Sequence, residues 1–166
     1  QRDQQHFILG VTSHMANVAF DKHVEFCERY ISQMQETLSA LFREGPTKKC
    51  LELSSALANI RLSSRTWLTS DIQDKILPFE DALTKIAVKH IELDSLPVGE
   101  KRTQVVEAMH NTFADVLGLS RLEGRGDNEE EVAARRIMDH LQAILGVKQL
   151  VQLRIALVDE AVKTLR

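Results

Sequence analysis

The sequence predicts an all-α protein, an antiparallel bundle of four main helices, and three observations lead there. Glycine and proline together supply ten of 166 residues, about half the average usage of ~12%, so turn signals are too sparse for a β-sandwich or barrel. Helix formers dominate, and aromatic residues make up only 5% of the chain. Apolar residues recur at alternating steps of four and three, which keeps them on one face of a helix.

The first helix is expected from about Gln4 to Glu44, with a seam at Phe20, Val24, Cys27, Ile31, Met34, Leu38 and Leu41. Asn17, Asp21, Glu25, Glu28, Ser32 and Gln35 occupy the opposite face, so the helix is amphipathic. Upstream, Phe7, Val11, Met15 and Val18 continue a shifted seam, and a bend or break is expected near Gly10. Gly45-Pro46 ends the helix, because glycine accepts the left-handed terminal conformation and proline cannot continue the ladder.

A second element is expected over Lys48 to Thr69, with Leu53, Leu57, Ile60, Ser64 and Trp67 on its face, and then over Asp71 to Leu93. Ser70-Asp-Ile-Gln73 reads as a capping box with Ser70 as the cap. One bent helix is the alternative, and Pro78 is expected to kink the second part. The third helix runs from about Glu100 to Leu117, with Val106, Met109, Phe113 and Val116 inward. After a glycine-rich loop at 118–128, the fourth begins at Asp127 or Asn128, with Glu129, Glu130 and Glu131 in the first turn where the helix dipole favours carboxylates. Gly146 invites a bend or split within it. Short connections join successive helices as antiparallel neighbours, and the chain reads as a single domain.

Composition narrows function. A net charge of −3 argues against a nucleic-acid binder, and Lys148, Arg154, Lys163 and Arg166 are too scattered for a recognition helix. No apolar run reaches the ~18 residues of a membrane span. Cys27 and Cys50 fall about 25 Å apart along a helical hairpin, too far for a disulfide, which favours a reducing, cytoplasmic setting. The opening Gln1-Arg-Asp-Gln-Gln5 reads as a helix already under way. The chain is therefore expected to be excised from a longer, membrane-tethered bacterial protein, any membrane contact lying outside the sequence given.

Several constellations bear on chemistry. Glu107 and His110 have the i,i+3 spacing of di-metal carboxylate bundles, yet no second copy of the pair accompanies them. His23 and Cys27 stand at i,i+4, a spacing that brings two metal ligands together. Cys27 also fits as a small apolar seam residue. Arg61, Arg65 and Trp67 offer cation–π and hydrogen-bonding groups for a ligand, or Trp67 plugs one end of the bundle. His90 closes a seam and is placed to cap helix carbonyls. Arg125-Gly-Asp127 reads as an ordinary glycine turn. No phosphate loop, nucleophile elbow, zinc-protease helix or Cys-x-x-Cys occurs.

The last third of the fourth helix carries a second apolar stripe that includes Leu150, Leu153, Leu157 and Ala161, wider than one seam requires. The function expected is a non-catalytic protein-interaction or sensing domain without a cofactor, pairing with a protein partner or a second copy through this helix. A metal-binding bundle using Glu107 and His110 is the alternative.

Overall fold

The computed structural model describes residues 2–117 and 129–150 together with 152, 155 and 156, with side chains from residue 14 onward except 117 and 129–133. Among these residues the protein is all-α, without a strand. Its helices are α1 (Arg2–Glu44), α2 (Cys50–Ser63), α3 (Ser70–Ser95), α4 (Glu100–Leu117) and α5 (Glu129–Ile144), with a 3-10 turn at Arg65–Trp67. The chain is helical again at 147–150. Among the described residues, no helix is long and apolar enough to cross a membrane.

Helix α3 packs against α2 on one side and α4 on the other, while α1 packs against α2 and α5. Their common core includes Phe26, Tyr30, Met34 and Leu41 of α1, Leu57 of α2, Ile76, Leu83 and Ile86 of α3, Met109 of α4, and Leu141 and Leu145. Burying each large apolar side chain contributes about 1.5–3 kcal/mol. The face of α1 turned inward is broader than its heptad seam, because Phe26, Tyr30 and Thr37 are buried beside Cys27, Met34, Leu38 and Leu41. Phe20, Val24 and Ile31 lie at the edge of that face and stay half-exposed. The polar residues expected on the opposite face are all exposed.

Helix α1 has 43 residues, about 65 Å at ~1.5 Å per residue. It runs past Gly10 without the expected break. A glycine inside a helix costs only about 1 kcal/mol relative to alanine, too little to interrupt so long a ladder. Four successive residues, His14 to Asn17, are exposed, with Met15 at 63%, so no described element covers this part of α1. At its other end Gly45 takes a φ of +71° and its N–H donates to the Leu41 carbonyl at 2.8 Å, closing the helix as the sequence predicts.

The second element is split into two helices rather than bent. Ser64 ends α2, the 3-10 turn follows, and Leu68 and Thr69 are extended before α3 begins. The cap is Thr69 and not Ser70, since Thr69 has the extended backbone of a cap and its Oγ1 accepts the Ile72 N–H at 3.3 Å. Ser70 is already helical. Helix α3 continues unbroken through Pro78, which is exposed, so water can serve the carbonyl its missing N–H leaves free. Because α3 extends to Ser95, His90 lies inside it rather than at its end, with Nδ1 buried and unpaired.

The fourth element is split too. The chain turns at Leu145–Gly146, where Gly146 has a φ of +68° and donates to the Ala143 carbonyl at 3.2 Å. Leu150 N–H then bonds the Gly146 carbonyl at 3.0 Å, opening the next helical turn. The expected caps Asp127 and Asn128, the loop at 118–128 and the tripeptide Arg125 to Asp127 lie outside the described residues.

Candidate functional site

Splitting the last helix at Gly146 sets Val147 and Leu150 beside α1, and between them runs an open groove of about 660 Å³. Phe20, Val24, Cys27 and Ile31 of α1 form its apolar floor. Asp21, Glu28, Ser32 and Gln35 stand along its α1 rim, all exposed. The groove exists because the α1 seam continues beyond the part that α5 covers. Its size suits a small apolar ligand or a row of side chains from a helix. Leu150, expected at an interface, lines this groove and is half-buried. Leu153, Leu157 and Ala161 lie outside the described residues.

Cys27 brings no reactive thiolate to the floor. Burial pushes its thiol up to about 11, so at neutral pH it is a small neutral lining group. Cys50 is buried as well, its thiol raised by desolvation, and both cysteines are free.

His23 and Cys27 do converge, as their spacing predicts, and the point of convergence is the Leu145 carbonyl. His23 Nε2 lies 3.0 Å from that oxygen and the Cys27 thiol donates to it from 3.8 Å. This carbonyl, at the turn that ends α5, has no helical N–H to receive, and the two side chains satisfy it. Glu107 and His110 are both exposed on the outer side of α4, while Met109 between them is buried. Among the described residues, no group of three or more His, Cys, Asp or Glu is gathered for a metal ion.

The expected set Arg61, Arg65 and Trp67 is divided by the fold. Arg61 turns into the core, whereas Arg65 and Trp67 sit exposed on the 3-10 turn, Trp67 at 37%. Arg61 Nε donates to both carboxylate oxygens of Glu80 at 3.1 Å, and Nη2 adds a bond to Oε2 at 2.9 Å. Tyr30 donates its hydroxyl to Glu80 Oε1 at 2.9 Å. Ser54 and Thr84 hydroxyls both donate to the Glu80 carbonyl, at 2.9 and 3.1 Å. One buried carboxylate thus ties α1, α2 and α3 together.

The carboxylate's role was missed in the sequence, although a trace of it is there. Ile76, Glu80, Leu83 and Ala87 stand at helical spacing and all four are buried, so a charge within an apolar stripe marked the site. Tyr30, the single tyrosine, was the matching donor. Comparison of the chain with protein-family models, with curated proteins and with solved structures finds no match.

Proposed function

We propose that this chain is a non-catalytic interaction domain, an antiparallel bundle of four main helical arms that associates with another protein through α1 and the helix after Gly146. The groove lined by Phe20, Val24, Ile31, Val147 and Leu150 carries this reading. Its apolar floor on α1 is bordered by Val147 and Leu150 of the helix that the sequence marks as wider in apolar residues than one seam needs. An amphipathic helix laid into such a groove is a common mode of recognition. The strongest charged cluster, Arg61 with Glu80 and Tyr30, is saturated by its own members inside the core and supports a structural role.

Replacing Leu153 and Leu157 together by asparagine tests the reading. Sedimentation velocity over a range of concentrations should show association of the natural chain and its loss in the variant, with helical circular dichroism unchanged. A parallel fall in the helical signal would assign the two leucines to the core and remove the interface from this helix.

A further inference from the structure

We infer that the groove along α1 receives a second copy of this chain, seated through the exposed face Lys148, Gln152 and Ile155. The inference rests on the interaction-domain reading above and names its partner. Helical spacing sets these three residues on one face, at i, i+4 and i+7. All three are exposed, and Ile155 exposes 57% of its surface. Val147 and Leu150 fall on the other side of the same spacing and form the wall of their own groove. The Lys148–Ile155 face therefore points away from the groove it borders and is left exposed by the described residues.

The two surfaces are complementary. The groove offers an apolar floor at Phe20, Val24 and Ile31 to the isoleucine. Its rim offers Asp21 and Glu28 to the lysine. Both acids are exposed, and neither carries an ion pair among the described residues. They stand one heptad apart, about 10 Å along α1, which is also the span from Lys148 to Ile155 at ~1.5 Å per residue. Each copy possesses both a groove and a face, so the contact is head-to-tail, the face of one copy seated in the groove of the next.

Full-length chains carrying Val24→Lys in the groove or Ile155→Lys on the face test this, with circular dichroism as the check on folding. The natural chain should self-associate at ~0.1 mM and each variant should dissociate at least tenfold more readily. An equimolar mixture of the two variants should form a heterodimer, because an intact groove on one meets an intact face on the other. Lys148→Glu should weaken self-association, and Asp21→Lys with Glu28→Lys in the same chain should restore it. A natural chain that stays monomeric, an assembly indifferent to both variants, or a mixture that fails to associate would each overturn the inference. An assembly indifferent to Val24→Lys and Ile155→Lys but lost on Leu153 and Leu157 replacement would overturn this inference and leave the broader reading standing.

Discussion

Arg61 of α2 grips Glu80 of α3 through three hydrogen bonds of 2.9–3.1 Å, with side chains only 12% and 4% exposed. Burying the pair costs desolvation that its mutual attraction roughly offsets, so the pair matters more for how the helices are matched than for net stability. Removing one partner is a different matter. Arg61→Met leaves an uncompensated buried carboxylate and should cost about 3–5 kcal/mol in denaturant unfolding. Arg61→Met with Glu80→Leu and Tyr30→Phe removes every member at once and should recover most of that loss. A triple variant as unstable as the single one would show that the charges themselves hold the fold.

Tyr30 gives this core an alkaline limit. Burial, and then the negative charge of Glu80, hold its hydroxyl well above the ordinary 10.0. In the unfolded chain it ionises near that ordinary value, so above it the unfolded state binds fewer protons than the folded state. Stability from this group is therefore fully present below pH ~10 and falls as pH rises beyond it. Cys27 acts in the same direction over an earlier window, from its ordinary 9.0 to about 11. Unfolding midpoints measured from neutral pH upward should decline through this range, and Tyr30→Phe should flatten the part above 10. Because Tyr30 is the single tyrosine, tyrosinate absorbance should rise only as the protein unfolds. Ionisation of the folded chain at the ordinary value would contradict its burial against Glu80.

Much of this architecture was legible in the sequence, for reasons that separate it from the rest. Gly45 announced a helix end and Gly146 a bend or split, and both take the positive φ that glycine adopts without strain. The α4 face of Val106, Met109 and Phe113 followed from spacing alone. Thr69 displaced Ser70 as the cap because both residues have suitable hydroxyls, and only the backbone decides which one is still extended. The site was less legible. Arg61 read as a ligand-site residue beside Arg65 and Trp67, and only the packing of α3 shows Glu80 reaching it, nineteen positions along the chain. His23 and Cys27 were correctly paired, but their shared acceptor is 118 residues from Cys27 and is a backbone atom. Local spacing reveals which side chains share a face, and says nothing about what that face meets.

The α5 terminus depends on Gly146 and His23 together. Among the described residues a β-carbon at Gly146 would meet only Gln149 Oε1, at 3.7 Å, so the left-handed backbone is what resists substitution. Gly146→Ala should cost about 1–2 kcal/mol. His23→Ala removes the hydrogen bond to the Leu145 carbonyl and should cost ~1 kcal/mol. The two changes act on one turn, so their combined effect should depart from the sum. Additive losses in a double-mutant cycle would show that His23 and the turn are independent.

Arg102, at the start of α4, holds the end of α3. Its Nη1 donates to the Leu96 carbonyl at 2.9 Å and also to the Leu93 carbonyl. Helix α3 has no basic residue in its own last turn, so the charge that complements its negative end comes from the next helix. Arg102→Ala should therefore fray α3 locally while leaving the α2–α3 core closed. Amide hydrogen exchange should accelerate about fivefold to tenfold across Leu93 to Leu96, the change expected for roughly 1 kcal/mol of local opening. Arg102→Lys should restore only part of the protection, since a point charge does not span two carbonyls as a planar guanidinium does. Equal acceleration at Ile76 and Leu83 would mean that Arg102 supports the whole core, and no acceleration would mean that water serves these carbonyls equally well.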